Sequence, residues 1–294
     1  MLSLPFNSIE EMILIADSGS TKCDWKLIDG DEEVGSISTM GFNPFFHSES
    51  IISATIKAQG MLYKYADQVT DIYFYSAGCS SPDLNKVVEK ALRTLFTDAN
   101  ILVDHDVLGA ALAACQGEPG VACILGTGSN SCYYDGLSVY EEIPSLAYIL
   151  GDEGSGSWYG KQVLRDYLYN LEIPEGLRQE LRNQGHDKDS ILENIYMKDH
   201  ANVYLASFMK TIAKYRDTEY VKTMIHEGMR AFLVRHVCCF PKHKEVKTNF
   251  VGSIAFFFQD ILKEEAEKLN VTVGNVVKKP IDGLVEYHLK HPVQ

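Results

Sequence analysis

Residues 12–28 read MILIADSGSTKCDWKLI and decide the fold. An apolar run over 12–16 leads into a polar turn over 17–22, and a second strand-like run follows over 23–28. A glycine turn that opens into a helix would indicate a Rossmann or P-loop fold, whereas a turn that doubles back into a strand indicates a β-hairpin. The stretch therefore predicts a hairpin with a tight polar tip.

The same arrangement returns in the second half of the chain, where residues 121–134 read VACILGTGSNSCYY. An apolar strand is again followed by a glycine-rich turn, over 126–131, and by a second strand. Turns of this kind present backbone amides and hydroxyls that can hold phosphate oxygens. Two such hairpins predict two related domains with one nucleotide held between them.

The remaining pattern predicts an α/β fold for both halves. In the first half we expect strands at 12–16, 23–28 and 33–38, a helix at 48–65, a strand at 71–75, a helix at 81–96, a strand at 100–103 and a helix at 107–115. After its hairpin the second half is helix-rich over 155–240, with a helix at 221–237, then a strand at 248–251, a helix at 254–269 and a short helix at 284–288.

Domain boundaries follow from this order of elements. Residues 1–11 are interpreted as an N-terminal extension, since Met12 would make a natural start. The first domain is expected over 12–108 and the second over 109–279, with a helical insertion at about 155–240. A C-terminal helix at about 280–294 is expected to pack back on the first domain.

Composition excludes several classes of function. The net charge of −13 argues against nucleic acid and against an anionic membrane surface as partners. The seven cysteines are odd in number and contain no CxxC pair, so neither a disulfide framework nor a zinc site is expected. No signal peptide or membrane-spanning apolar stretch is visible, which makes the cytoplasm the expected compartment.

The first turn contains the groups that a phosphate site needs. Its residues Ser18, Gly19, Ser20, Thr21 and Lys22 offer backbone amides, hydroxyls and an ammonium group. Asp17, where the strand ends, is placed to hold water around Mg²⁺. An ordinary Gly-Ser hairpin turn has the same composition, so the first turn alone leaves both readings open.

The second turn repeats the arrangement with Gly126, Thr127 and Gly128, whose glycines would let the backbone approach a phosphate. A plain polar turn remains the alternative, but the pair of turns is stronger evidence than either one. Gly252-Ser253, between a strand and a helix, can pack against a nucleoside or simply connect the two elements.

Two acidic segments provide candidate catalytic and binding carboxylates. Asp104-His105-Asp106 lies where a strand ends and a helix begins. A carboxylate at that point is either a general base for phosphoryl transfer or a helix N-cap. Gly151-Asp152-Glu153-Gly154-Ser155-Gly156-Ser157 precedes an amphipathic helix, and its two acids suit either hydroxyl recognition on a polyol or an exposed capping loop.

With these motifs in this order, the chain resembles the N-acetylglucosamine kinase and BadF/BadG-type ATPase family of the actin/hexokinase/Hsp70 superfamily, from Met12 to about His291. The resemblance implies two ribonuclease-H-like domains with a cleft between them. It also implies ATP and Mg²⁺ as cofactors and an amino sugar as the small-molecule partner, and it allows a homodimer.

The resemblance assigns roles to individual residues. The two turns correspond to the two phosphate motifs of the family, Gly252-Ser253 to its adenosine motif and Asp106 to its catalytic base. The positions matching sugar contacts are Asn43, Gly78, Asp106, Ser129, Asn130 and Asp152.

The implied activity is transfer of the ATP γ-phosphate to a hydroxyl of N-acetylglucosamine or of a close amino sugar. The expected acceptor is the O6 hydroxyl. Residues 144–150 read PSLAYIL, where such kinases usually carry glycine and tryptophan, and this leaves the choice of amino sugar open.

Two alternatives to the sugar kinase remain. One is an ATPase that energises a partner redox enzyme, which Cys79 and Cys115 match poorly. The other is a catalytically silent sugar or nucleotide sensor.

Overall fold

The computed structural model of this chain describes residues 12–291 and divides into two compact units. Unit 1 comprises residues 12–109 and 281–291, and unit 2 comprises Ala110–Pro280. The N-terminal extension proposed for residues 1–11 lies outside the described residues.

Strands and helices alternate along both units. The strands are β1 (Met12–Ser18), β2 (Lys22–Asp29), β3 (Glu32–Met40), β4 (Val69–Ser76), β5 (Asn100–His105), β6 (Gly120–Leu125), β7 (Ser129–Tyr134), β8 (Val139–Tyr140), β9 (Lys247–Val251) and β10 (Val273–Val277). The helices are α1 (Glu49–Lys57), α2 (Gly60–Tyr65), α3 (Pro82–Arg93), α4 (Asp106–Cys115), α5 (Ala147–Leu150), α6 (Gly156–Leu168), α7 (Glu175–Asn183), α8 (Lys188–Tyr196), α9 (Ala201–Ser207), α10 (Met209–Ile212), α11 (Glu219–Phe232), α12 (Ser253–Phe257), α13 (Gln259–Lys268) and α14 (Pro280–Lys290). A 3₁₀ turn, Ala213–Tyr215, follows α10, and a π-helical turn, Leu233–Val237, follows α11.

Each unit contains a five-stranded mixed sheet, and the two sheets have the same topology. The order is β3-β2-β1-β4-β5 in unit 1 and β8-β7-β6-β9-β10 in unit 2. In both, an antiparallel hairpin is extended by two parallel strands. The predicted α/β class and the duplicated hairpin are confirmed, and the carboxyl ends of three parallel strands meet at one edge of each sheet.

Local sequence explains where several elements begin and end. Ser81 caps α3 by accepting a hydrogen bond from the Leu84 amide, and Pro82 occupies the first helical position, where its missing N–H costs nothing. Both features follow from the sequence and are confirmed.

The core of each unit lies against its sheet. In unit 1 the buried Trp25 ring contacts Phe42 and Phe74, with ring centroids 6.1 and 5.4 Å apart. In unit 2 alternate residues of β6, such as Val121 and Leu125, face a cluster formed mainly by the helices. Burial of such aromatic and aliphatic side chains is the dominant stabilising term.

Several predicted elements differ in the structure. The predicted helix at 48–65 is two helices, because Gln59 is extended between α1 and α2. The predicted helix at 254–269 is broken at Phe258, whose ring is buried in the core while its backbone leaves the helical region. The predicted helix at 221–237 ends in the π-helical turn, and strands β8 and β10 were not predicted.

Among residues 12–291, no helix combines the length and the apolar character that crossing a membrane requires.

A buried histidine connects α14 to the sheet of unit 1. The His288 ring stacks on Tyr73 with centroids 3.9 Å apart, and its Nε2 atom lies 2.9 Å from the Tyr75 hydroxyl. Burial, with a smaller contribution from His291, lowers the pKa of His288 to about 4. In the unfolded chain a histidine has a pKa of about 6.5.

This difference predicts a pH-dependent stability. Between about pH 6.5 and pH 4 the unfolded chain binds a proton at His288 that the folded chain does not bind, so the free energy of unfolding falls as the pH falls through that window. In His288→Phe, which retains a ring against Tyr73, that part of the pH dependence should be lost. Urea unfolding from pH 4 to 7.5 measures it, and parallel curves for the two proteins would contradict it.

Candidate active site

The first turn lies at the carboxyl edge of the unit 1 sheet, between β1 and β2. It is closed by a hydrogen bond from the Gly19 amide to the Lys22 carbonyl, 3.0 Å long. Lys22 forms an ion pair with Asp24, and its side chain is 51% exposed. Gly41 lies directly over this turn, since a Cβ atom on it would come within 2.0 Å of the Gly19 carbonyl oxygen.

Ser18 connects the turn to the segment that follows β3. Its buried hydroxyl donates to the Phe42 carbonyl at 3.1 Å and accepts from the Phe42 amide at 2.8 Å. Ser76, where β4 ends, donates to the same carbonyl. The Ser18 hydroxyl is therefore engaged within the protein, whereas Ser20 and Thr21 are partly or largely exposed at the tip.

Asn43 and Gly78 are brought together at the same edge. Gly78 has a φ of +88°, and a Cβ atom on it would lie 2.3 Å from Oδ1 of Asn43. The carboxamide oxygen of the Asn43 side chain accepts from the Phe45 backbone amide at 2.9 Å. The backbone amide of Asn43 donates to His47 Nδ1 at 3.1 Å. The side chain of Asn43 is thus held in one orientation.

Asp17 and Asp106 form a pair of carboxylates beside this turn. Asp106 is the first residue of α4, directly after β5, and Asp17 is near the end of β1. Burial first, and then the negative charges of Asp106 and Asp24, raise the pKa of Asp17 to about 7. The carboxylates of Asp17 and Asp106 are therefore treated as an electrostatically coupled pair.

This carboxylate pair fits a divalent cation. A nearby positive charge offsets the negative charges that raise the pKa of Asp17. Across the described part of the chain, no cluster of three or more His, Cys, Asp or Glu side chains could form a closed metal cage. Mg²⁺ does not need one, because it is usually held by one or two carboxylates together with water and phosphate oxygens.

In unit 2 the second turn is bonded to the loop at residues 151–157, called the acidic loop below. Three amides connect them. The Gly156 amide donates to the Gly126 carbonyl at 2.8 Å, the Ser157 amide to the Thr127 carbonyl at 3.0 Å, and the Ser129 amide to Oδ1 of Asp152 at 3.1 Å.

Asp152 is held in a strained and buried position. It is 7% exposed and its φ is +57°, in the left-handed region that a non-glycine residue rarely adopts. Burial raises the pKa of its carboxyl group, and the hydrogen bond from Ser129 acts against that rise. A carboxylate kept in this state is suited to accept hydrogen bonds from a ligand.

Two hydroxyls of β7 lack a hydrogen-bond partner among the described residues. The side-chain oxygens of Ser129 and Ser131 are buried and unpaired, which is uncommon for buried polar atoms. Asn130, between them, uses its carboxamide oxygen to accept from the Ser131 amide at 2.8 Å. The unpaired Ser129 hydroxyl therefore fits a polar ligand that approaches Asp152.

Gly252 completes the edge of the second sheet. Its φ is +115°, and a Cβ atom there would lie 2.3 Å from the Leu125 carbonyl oxygen and 3.2 Å from the Gly126 amide nitrogen. Only glycine lets the start of α12, with Ser253, approach the second turn this closely.

The structure thus gathers the predicted site residues into two sets. One set, in unit 1, contains the first turn, Asn43, Gly78 and the Asp17–Asp106 pair. The other, in unit 2, contains the second turn, Asp152 and Gly252-Ser253. Sequence reasoning missed two histidines: His47, which contacts Asn43 four residues away, and His236, which contacts Glu153 of the acidic loop. The first was available as a near neighbour of Asn43, but nothing in a single sequence places His236 beside a loop 83 positions away.

Comparison with known proteins identifies the fold first. No family model matches the chain, and no curated protein matches it. A ROK family glucokinase from Streptomyces griseus, solved with glucose and AMPPNP, shares 16% identity with a TM-score of 0.56 and covers 94% of this chain and 97% of its own. A Chromobacterium violaceum protein described as a "putative N-acetylglucosamine kinase" shares 17% identity with a TM-score of 0.71, covering 95% and 99%. The fold is that of the actin-like sugar kinases.

A third solved structure shows the family. A Porphyromonas gingivalis protein, also described as a "putative N-acetylglucosamine kinase", is 36% identical to the chain, with a TM-score of 0.91, and the match covers 96% of this chain and 100% of that one. The chain therefore belongs to the N-acetylglucosamine kinase family of the actin-like ATPase superfamily.

The contact between Gly128 and Asp152 gives a structural prediction. A Cβ atom on Gly128 would lie 2.9 Å from Oδ2 of Asp152, whereas one on Gly126, in the same turn, meets no protein atom within 4 Å. Gly128→Ala should displace the Asp152 carboxylate and speed hydrogen exchange at the Ser129 amide, with little change in overall stability. Gly126→Ala is the matched control and should leave that amide unchanged. Equal exchange rates in wild type and Gly128→Ala would contradict the prediction.

Proposed function

We propose that this protein is an ATP-dependent sugar kinase that phosphorylates N-acetylglucosamine or a closely related amino sugar. The observation that carries the proposal is the 36% identity over almost the whole chain to a protein described as such a kinase. The reaction would be in-line transfer of the γ-phosphate to a sugar hydroxyl, most simply O6, the primary alcohol.

Asp106 is proposed as the general base. Its place at the first residue of α4, where it interacts electrostatically with the half-buried Asp17, supports a carboxylate that takes the proton of the attacking hydroxyl. When bound, Mg²⁺ supplies charge neutralisation for the phosphate oxygens, and Asp17 would hold it through water.

The nucleotide is proposed to bind at the two turns. Amides and hydroxyls of Ser18 to Lys22 and of Gly126 to Gly128 would hold phosphate oxygens, and Gly252-Ser253 would contact the adenosine. Because the Ser18 hydroxyl is engaged by Phe42, we expect the contribution of Ser18 to be through the turn that it supports.

The sugar is proposed to bind at Asn43, Gly78, Ser129, Asn130 and Asp152. The buried, hydrogen-bond-accepting carboxylate of Asp152 and the unpaired hydroxyl of Ser129 support recognition of a sugar hydroxyl. A site built from buried polar groups discriminates strongly, since an unsuitable ligand leaves those groups unpaired.

No specific observation favours the two alternatives. Burial raises the pKa of Cys79 to about 12 and that of Cys115 to about 11, which disfavours the thiolate that an iron–sulfur cluster would need. A catalytically silent sensor would not need the Asp17–Asp106 carboxylate pair, which costs stability through repulsion.

ADP release tests the proposed function directly. The panel is N-acetylglucosamine, N-acetylmannosamine, N-acetylmuramic acid, glucosamine and glucose, each with Mg-ATP. We expect turnover that depends on N-acetylglucosamine or one of the other amino sugars. Sugar-independent hydrolysis, or none at all, would overturn the proposal.

Asp106→Asn tests the assigned base. Loss of the proton acceptor should lower kcat by about 100-fold or more while the fold is retained. Asp104→Asn is the matched control, because Asp104 lies two residues away and its carboxylate contacts His105, whose amide donates to it at 2.7 Å. Full turnover by Asp106→Asn would show that another group takes the proton.

A further inference from the structure

The acidic loop lies against helix α11 as well as against the second turn. Gly154 has a φ of +70°, and a Cβ atom on it would lie 2.9 Å from the Gly228 carbonyl oxygen and 3.1 Å from Cβ of Phe232. The backbone of the loop therefore touches the helix directly, and Gly154 is where glycine is required.

Glu153 extends this contact to the turn that follows the helix. Its carboxylate lies 3.3 Å from Nε2 of His236 and 3.4 Å from Nε of Arg235. The Glu153 side chain is 17% exposed and that of His236 is 7% exposed, so the His236 contact is largely shielded from water. A shielded hydrogen bond to a carboxylate is stronger than an exposed surface ion pair, whose contribution is small.

His236 lies within the π-helical turn Leu233–Val237. Cys238 donates its amide to the Leu233 carbonyl at 2.9 Å, a bond that spans five residues instead of four. The extra residue rotates the following side chains by about 100° relative to a continuous α-helix. Turns of this kind are rare and occur frequently at functional sites.

Burying the polar ring of His236 costs free energy, because one of its two nitrogens has no hydrogen-bond partner among the described residues. Its ring stacks on Phe232 with centroids 5.0 Å apart, and its Nδ1 atom is buried without a hydrogen-bond partner. Burial lowers the pKa of His236, although Glu153 acts against that change. The neutral ring with its proton on Nε2 donates to Glu153 and leaves only a lone pair unpaired.

The other side of the acidic loop contacts the proposed sugar and phosphate residues. Asp152, next to Glu153 in the chain, accepts from the Ser129 amide, and Gly156 and Ser157 donate to the second turn. A displacement of Glu153 would therefore be transmitted to the Asp152 carboxylate through one peptide unit.

We propose that His236, with Arg235, is a positioning residue for the sugar site: through Glu153 it holds the acidic loop so that the strained Asp152 carboxylate faces the ligand. This inference rests on the proposed function for the identity of the ligand. The part that concerns the position of the acidic loop does not depend on which ligand binds. His236 contacts neither the sugar nor the phosphates in this proposal and acts through Glu153.

Helix α11, which precedes the π-helical turn, contains a second histidine–carboxylate contact for comparison. His226 of α11 lies 2.7 Å from a carboxylate oxygen of Glu265, which belongs to α13 and not to the acidic loop. His226→Gln therefore removes a histidine–carboxylate contact of similar chemistry, from the helix that precedes the π-helical turn and with a partner outside the acidic loop.

Two measurements on His236→Gln, Glu153→Gln and His226→Gln test the proposal. In hydrogen–deuterium exchange, the first two variants should exchange faster than wild type over residues 151–157 and at Ser129, and His226→Gln should not. In steady-state kinetics, His236→Gln should raise KM for the sugar about tenfold, with KM for ATP changed less than about twofold. In the double variant His236→Gln/Glu153→Gln the effects should be less than additive, because both substitutions alter the His236–Glu153 contact, while Glu153→Gln also weakens the contact with Arg235.

The outcomes separate the two proposals. Unchanged exchange over residues 151–157 in His236→Gln, or an equal change in His226→Gln, overturns the positioning role whatever the activity. Faster exchange with an unchanged sugar KM overturns its role in sugar binding. If wild-type protein phosphorylates no sugar, the proposed function and the sugar-binding part of this inference fail together, while the exchange data decide the holding of the loop.

Discussion

Close approach of two backbones at the carboxyl edge of a sheet is the constraint on which each set of candidate site residues depends. In unit 1 Gly41 lies over the Gly19 carbonyl, and in unit 2 Gly252 lies over the Leu125 carbonyl, with room for no Cβ atom in either place. The polar turns are held in shape by these contacts, so their amides are arranged before a ligand arrives. Pre-arrangement of this kind reduces the entropy that binding must overcome.

The same sheet edges contain carboxylates whose burial costs free energy. Asp17 is half-buried near Asp106, and Asp152 is buried at a positive φ, and in both cases burial raises the pKa of the carboxyl group. Proteins retain such costs chiefly at functional sites, where a cation or a hydrogen-bonding ligand offsets them. The unpaired Ser129 hydroxyl beside Asp152 follows the same logic.

Much of the fold could be predicted because its signals are local. Apolar strands, glycine turns and the Ser81-Pro82 helix start each lie within a few residues, and the structure confirms them. Strand β10 and the break at Phe258 could not be predicted, since pairing with a distant strand and burial of one ring outweigh local preference. The π-helical turn that carries His236 reads as ordinary helix for the same reason.

For the site, the sequence by itself determined which residues have suitable chemistry, because turn glycines, hydroxyls and carboxylates are recognisable from their neighbours. Only the tertiary structure decided which of them meet. It brings Asp17 to Asp106 and Asp152 to Ser129, and it turns His236 toward Glu153 across 83 positions of the chain. The physical reason is that hydrogen bonding and charge repulsion depend on distance in space, and the packing of helices on a twisted sheet sets that distance.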